Sequence, residues 1–125
     1  MKMRIQGDSV RLRVSVSEVQ RLGGGHSVAC RTRFPGGAAL GYRLEGAEVD
    51  AIDARFDGAT VTVRVPLDAL HDWSGRPDLV SLSGRADLGD GELTLLVEKD
   101  FACLNPRPGE DDGDRFVNPG TTAEA

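Results

Sequence analysis

The chain has 125 residues and 39% hydrophobic residues, which fits one domain with a single core. Its net charge of −5 is uneven, because residues 1–107 hold 14 basic and 15 acidic side chains, whereas residues 108–125 hold 1 and 5. Residues 1–107 are thus nearly neutral, whereas nucleic-acid-binding domains usually carry an excess of basic residues. No apolar run is long enough to span a membrane. We therefore expect a cytoplasmic protein that binds neither nucleic acid nor membrane, with Cys30 and Cys103 as thiols.

The first part of the chain predicts a strand, a helix and two further strands. Apolar residues alternate with arginines at Val10, Leu12 and Val14, as in a strand with one wet face. In "SVSEVQRLGGG", Ser15 and Glu18 form a capping box ahead of a short amphipathic run that ends in glycines. Alternation then resumes over roughly 27–34 and 39–46.

The second part repeats this order. Ile52, Ala54 and Phe56 form an alternating run, and so do Val61, Val63 and Val65. The stretch "PLDALHDWSG" begins with a proline suited to a first helical turn and ends in glycine, which predicts a second short helix. Strands follow over roughly 79–86 and 91–101.

A shift of the sequence on itself by about 51 residues aligns the two parts. Leu12 falls on Val63, Arg13 on Arg64 and Leu22 on Trp73. We therefore predict a single β-rich domain over residues 1–104, made of two pseudo-repeated β-α-β-β units at about residues 3–46 and 52–101. Pairing two such units covers their sheet edges and apolar faces. The predicted fold is mainly β with two short helices (α+β), as a small antiparallel barrel or a wrapped sheet sandwich.

Arginines occupy many of the outward strand positions. They are Arg11, Arg13, Arg31, Arg33, Arg43, Arg55 and Arg64. Sheet surfaces that bind RNA place aromatic rings on the same face, whereas Phe34, Tyr42 and Phe56 share the inward parity here. We therefore expect cross-strand ion pairs on a solvated surface rather than a nucleic-acid site.

Residues 105–125 form an acidic segment rich in proline and glycine, which predicts neither helix nor strand. Phe116, Val117 and Asn118 lie within it as candidate docking residues. Our hypothesis is that this tail folds back, so that Phe116 enters an apolar groove and the nearby aspartates face arginines. The "GEDDGD" carboxylates do not have the spacing of a calcium loop, and we predict no metal site and no cofactor.

The end of the last predicted strand is the best candidate for a ligand site. Leu95, Val97 and Lys99 share the inward parity, and an inward lysine must be paired or must open onto a pocket. Two interpretations therefore remain, an ion pair at the barrel mouth and a pocket for a small anion. The candidate ligand-binding residues are Glu98, Lys99, Asp100, Phe101 and Cys103.

An enzymatic interpretation has little support in the sequence. A nucleophilic Cys103 needs a base, and only His26 and His71 are available, both far along the chain. Glu98 and Asp100 share a strand face, which permits acid–base chemistry without indicating it. We therefore favour a non-enzymatic binding or accessory protein whose partner is a small anion or another protein. The alternatives are a small enzyme that uses Lys99 and Cys103 or the carboxylates, and a subunit of a larger assembly with exposed Leu79 and Leu96.

Two segments of the chain carry a family resemblance. The start "MKMRIQGDSVRLRVSVSEVQRL" and the later "EKDFACL", followed by acidic residues and Asn118-Pro119, resemble a family of short bacterial proteins of unknown function. The resemblance covers nearly the full length and brings no activity with it. It implies only that the tail belongs to the fold.

Overall fold

The computed structural model describes residues 1–100, which form eight strands, two α-helices and one short 3-10 helix. The first unit comprises β1 (Lys2–Ile5), β2 (Ser9–Val14), α1 (Val16–Gly23), β3 (Val28–Arg33), the 3-10 turn Pro35–Gly37 and β4 (Ala39–Ala47). The second comprises β5 (Asp53–Phe56), β6 (Thr60–Pro66), α2 (Leu67–Gly75), β7 (Ser81–Asp87) and β8 (Glu92–Lys99). Within residues 1–100, no helix has the length and apolar character needed to cross a membrane.

The strands form two separate four-stranded sheets. Sheet A has the order β1-β2-β8-β7, and sheet B has the order β3-β4-β6-β5. The outer pairs of each sheet are antiparallel, but the central pairs β2–β8 and β4–β6 are parallel. The mainly β fold with two helices is confirmed, and the sheets are rich in antiparallel pairs, whereas residues 1–100 form no closed barrel. Each half contributes one hairpin to each sheet, and this exchange brings strands of the same direction together at the centre.

The first predicted unit lacked a strand. The order strand-strand-helix-strand-strand occurs twice, with β1 and β5 as the first strand of each half. The prediction missed β1 entirely and placed the Ile52–Phe56 strand at the start of its second unit without a counterpart in the first. The run "KMRI" is only four residues long, which made its alternation easy to overlook.

Both sheets and both helices contribute to one hydrophobic core. Its fully buried members include Trp73 of α2, Leu12 and Leu95 of sheet A, and Leu44 and Val63 of sheet B. The sequence predicted inward positions for Leu12 and Val63, and both are buried. Removal of these side chains from water is the main stabilising contribution in a domain of this size.

Local interactions hold the helix ends in place. Ser15 caps α1, and the Oε1 atom of Glu18 accepts hydrogen bonds from the Ser15 backbone N–H at 2.9 Å, so the predicted capping box is present. The other carboxylate oxygen, Oε2, pairs with the Met1 ammonium at 2.6 Å. Glu18 therefore ties the chain start to α1.

The inward parity predicted for the aromatic rings is wrong for two of them. Phe34 is 52% exposed and Phe56 is 65% exposed, whereas Tyr42 is partly buried and packs against the core. Phe34 lies just past the end of β3, and Phe56 is the last residue of the edge strand β5. These rings are exposed because the core does not extend to the strand ends on which they lie.

Candidate functional site

Lys99 is buried at the end of β8, with 4% of its surface exposed. Its Nζ donates a hydrogen bond to the carbonyl oxygen of Arg76 at 2.9 Å and lies 5.4 Å from the centre of the Trp73 ring. Burial lowers the pKa of the Lys99 ammonium below its usual value, and the charge of Asp78 opposes this effect. The inward position predicted from strand parity is therefore present, with a carbonyl at the end of α2 as a partner.

Hydrogen bonds to one main-chain carbonyl connect the segments around Lys99. The Trp73 indole Nε1 and the Lys99 backbone N–H both donate to the carbonyl oxygen of Val80, at 3.1 and 3.0 Å. This arrangement joins the last turn of α2, the segment before β7 and the end of β8. A cation at the carboxyl end of a helix also interacts favourably with the helix dipole. These contacts give Lys99 a structural role.

Glu98 lies on the opposite, outward face of β8. Its Oε1 accepts hydrogen bonds from Nε of Arg11 at 2.6 Å and from Nε of Arg13 at 2.7 Å. Asp100 follows β8, and its carboxylate is 3.6 Å from the ammonium of Lys2. The structure thus separates the predicted site residues, because Glu98 contacts the arginines of β2 while Lys99 faces the core. Phe101, Cys103, Phe116, Val117 and Asn118 lie outside the described residues.

A cationic surface surrounds Glu98 on the outer side of sheet A. We call it the arginine face and define it as Lys2, Arg4, Arg11, Arg13 and the outward residues Thr94, Leu96 and Glu98 of β8. In the register of the sheet, Arg4 lies beside Arg11, which lies beside Leu96. Arg4 is exposed, and within residues 1–100 it pairs with no carboxylate. The face therefore holds four cations against Glu98 and the neighbouring Asp100.

Two shallow depressions indent the arginine face, and Arg4 and Arg11 line both of them. The larger has a volume of about 260 Å³ and is lined by Arg4, Gln6, Ser9, Val10, Arg11, Thr94 and Leu96. The smaller has a volume of about 180 Å³ and is lined by Lys2, Met3, Arg4, Arg11 and Arg13. Guanidinium groups and hydroxyls beside aliphatic residues together suit a ligand that carries phosphate or carboxylate groups.

Sheet B also carries arginines, some of which form the predicted cross-strand ion pairs. Arg64 donates to Asp53 through Nε at 2.8 Å, and this bond holds the pKa of Asp53 below its usual value. Arg43 donates to Glu45 at 2.8 Å as well, but these two residues lie on the same strand, β4, so this pair is not cross-strand. A third depression of about 500 Å³ is lined by Arg31, Arg33, Phe34, Gly37, Ala38 and Ala39. The exposed ring of Phe34 thus accompanies two arginines here, contrary to the expectation that all rings point inward.

Two expectations about surface residues need correction. Leu79 packs against the core and Leu96 is partly buried within the arginine face, so neither forms an exposed apolar patch. Lys2 and Arg4 were missed as site residues because β1 was missed. The sequence signal for Lys2 and Arg4 is their alternation with the apolar residues Met3 and Ile5. Across residues 1–100, no three His, Cys, Asp or Glu side chains are grouped so as to hold a metal ion.

Comparison with known proteins gives a family and nothing further. A family model described as a family of unknown function (DUF7009) matches residues 1–120. No curated protein and no solved structure matches the chain. The match covers nearly the whole sequence, including most of the segment after residue 100.

Proposed function

The chain belongs to this family of unknown function, and we propose from its geometry that it is a non-enzymatic, cytoplasmic binding or accessory protein. Its ligand is a small anion, bound on the arginine face. The observation that supports this proposal most directly is the position of Arg4 and Arg11, which line both depressions of the arginine face.

The outer face of β8 is a better candidate than its inner face. Lys99 on the inner face already contacts the Arg76 carbonyl and the Trp73 ring, and an anion reaching it would have to enter the core. Arg4 on the outer face is exposed and has all its guanidinium donors available to a ligand, as far as residues 1–100 are concerned. The proposed site therefore keeps Glu98 and Asp100 of the predicted set and replaces Lys99 by arginines.

The strength of such contacts favours a ligand with several anionic groups. An exposed ion pair contributes only about 0.2–1 kcal/mol, so the one or two pairs that an inorganic phosphate forms reach about 2 kcal/mol at most. Millimolar affinity already requires about 4 kcal/mol. A single inorganic phosphate is therefore too small, whereas a molecule that contacts Arg4, Arg11 and Arg13 at once adds bidentate, charge-assisted hydrogen bonds of about 1.5–3 kcal/mol each. Polyphosphates and tricarboxylates both have this character.

Calorimetric titration with tripolyphosphate and with citrate tests the proposal at low ionic strength, where exposed charges are least screened. Arg4→Ala should lower the affinity for the preferred probe about three- to fivefold or more without changing stability. Arg55→Ala is the matched control, because Arg55 is exposed on β5, which corresponds to β1 in the second half. Equal loss in both variants, or no binding of either probe, would contradict the proposal, and the preferred probe identifies the anionic group.

A small enzyme remains the alternative, with Lys99 and Cys103 or the carboxylates as its reactive groups. The lowered pKa of Lys99 supports it, because the neutral amine is the nucleophilic form of lysine. The buried hydrogen bond to Arg76 counts against it, since that amine faces the core. A metabolite screen by thermal shift on the wild type and on Lys99→Ala separates the two, because stabilisation without turnover supports binding alone.

We further propose that the two halves are an internal repeat. The repeated element order supports this, and equivalent positions share their burial: Leu12 with Val63, Val14 with Val65, and Leu22 with Trp73. The proposed anion site differs between the two halves. Arg11 of β2 lies beside Leu96 of β8, whereas Thr62, the residue of β6 that corresponds to Arg11, lies beside Arg43 of β4.

A further inference from the structure

The arginine face carries more positive than negative charge, and the chain itself contains a segment of the opposite sign. Lys2, Arg4, Arg11 and Arg13 outnumber Glu98 and Asp100 there. Residues 108–117, with the sequence "PGEDDGDRFV", hold four carboxylates and one arginine. We propose that this acidic segment docks on the arginine face in cis and competes with the anionic ligand. The competition rests on the proposed function, whereas the docking does not.

The segment is long enough to reach the face. The described part ends at Asp100, directly after β8, and Glu110 follows ten residue steps later. Ten extended residues span about 33 Å, whereas Arg11 lies beside Leu96, about 13 Å back along β8 from residue 100. Pro106, Pro108 and Gly109 are residues typical of turns, so the sequence permits the chain to reverse.

The order of residues in the segment matches the order of features on the face. A chain that returns along β8 passes first beside Arg13, at the level of Glu98, and then beside Arg11 and Arg4, at the level of Leu96. The carboxylates Glu110 to Asp114 come first in the segment and meet these cations. Phe116 follows and meets the depression that contains Leu96 and the aliphatic part of Arg11.

The aromatic contact is needed for docking because exposed ion pairs contribute little individually. Leu96 is a partly buried leucine on an outward position beside Arg11, whose stem is apolar, and it shares a depression with Arg4 and Arg11. An aromatic ring placed over it removes apolar surface from water and lies within reach of guanidinium groups for a cation–π contact. Phe116 with its neighbouring aspartates fits both features at once.

Full-length variants test this inference. One variant neutralises the segment (Asp111→Asn, Asp112→Asn, Asp114→Asn), and a second removes the ring (Phe116→Ala). The control changes the net charge equally but elsewhere (Glu48→Gln, Asp50→Asn, Asp72→Asn), at exposed residues on α2 and between β4 and β5, outside the arginine face. Two measurements are made on each protein: the affinity for tripolyphosphate by calorimetry, and the NMR signals of the arginine Nε–Hε groups without ligand.

If the segment docks, the signals of Arg4, Arg11 and Arg13 differ between the wild type and both tail variants but not the control. Tripolyphosphate affinity then rises about fivefold or more in the tail variants. Changed arginine signals without any tripolyphosphate binding would support the docking and contradict the proposed function. Unchanged arginine signals, with equal affinity in all four proteins, would overturn the inference and leave the proposed function standing.

Discussion

Lys99 carries a charge into a core that is otherwise apolar, and its contacts explain how this is possible. Removing an ammonium from water is costly unless it is paired or hydrogen-bonded. The Arg76 carbonyl at 2.9 Å and the face of the Trp73 ring at 5.4 Å replace part of the lost hydration. Even so, the lowered pKa of Lys99 indicates that the charged form is less favourable here than in water.

This lowered pKa predicts a pH dependence of stability. In the unfolded chain the Lys99 side chain keeps its proton up to its ordinary pKa of 10.5, so the unfolded state binds more protons than the folded state just below that value. The stability contribution of Lys99 therefore increases as the pH rises from its folded-state pKa towards 10.5. Relative to Lys99→Met, the wild type should become more stable across this alkaline range, as measured by urea denaturation.

Lys2→Met is the matched control, because Lys2 is the other lysine of the chain and its side chain is 60% exposed. Its stability curve should run parallel to that of the wild type. A Lys99→Met curve that is also parallel would contradict the proposed cost of the buried charge. The fluorescence of Trp73, the one tryptophan in the sequence, reports the same titration independently.

The position of Lys99 followed from sequence, but its partners did not. Period-two alternation in the last strand puts Lys99 on the same side as Leu95 and Val97, and all three are buried. The partner carbonyl belongs to Arg76, 23 residues earlier, at the end of α2. Strand parity carries no information about which helix end packs against a strand end, so the choice between an ion pair and a pocket stayed open.

At the scale of the element, β8 has an apolar face and a charged face. Its inward residues belong to the core, while its outward residues Leu96 and Glu98 belong to the arginine face. Glu98 accepts from both Arg11 and Arg13 and so neutralises part of the positive charge of β2. This carboxylate therefore orients the two arginines and competes with an anionic ligand for them.

Substitution of Glu98 should separate these two effects. Glu98→Gln removes a negative charge next to Arg11 and Arg13, and the affinity for tripolyphosphate should rise several-fold, since the opposing charge is lost. The free energy of unfolding should fall by about 0.5–1 kcal/mol, because two partly exposed charge pairs are lost. Calorimetry and urea denaturation measure the two changes.

The control is Glu45→Gln, which removes the carboxylate paired with Arg43 on sheet B. It should cost a similar amount of stability and leave the affinity for tripolyphosphate unchanged. If Glu98→Gln weakens binding instead, Glu98 acts as an organiser of the site, and the account of it as a competing charge is wrong.

The elements themselves were predictable to different degrees. Capping signals and glycines marked α1, and alternation marked the strands with three or more apolar positions, because these signals are local. The strand β1 has only Met3 and Ile5 as inward residues, and Ile5 is 56% exposed. So weak a pattern was missed, and with it Lys2 and Arg4, two of the four cations of the arginine face.

At the scale of the whole molecule, neither half of the chain can complete a sheet alone. Sheet A combines β1 and β2 with β7 and β8, and sheet B combines β3 and β4 with β5 and β6. Sheet A also approaches the residue that precedes β5 of sheet B, because a Cβ atom on Gly84 of β7 would lie 2.9 Å from Cβ of Ile52. Such long-range pairing, including the parallel contact of β2 with β8, has no local sequence signal, which is why the barrel prediction failed.

This exchange of hairpins predicts that the halves fold only together. Fragments 1–50 and 51–125 divide the chain in the segment between β4 and β5, at exposed residues. Each fragment alone should show no cooperative unfolding, because its hairpins lack their central parallel partners. An equimolar mixture should recover a cooperative transition by circular dichroism.

A cooperative transition from either fragment alone would show that one half forms its own core. That result would contradict the shared core, in which Leu12 and Val97 of sheet A come from different halves. As a control, a mixture of fragment 51–125 with fragment 1–50 carrying Leu12→Asp should fail to recover the transition.

The proposal that the arginine face binds an anion is tested most directly by the arginine Nε–Hε signals during a titration with tripolyphosphate. We predict that the signals of Arg4 and Arg11, which line both depressions, shift with a common saturation curve, and that those of Arg31, Arg33 and Arg55 on sheet B remain in place. Larger shifts for the sheet B arginines, or equal small shifts for every arginine, would contradict the account.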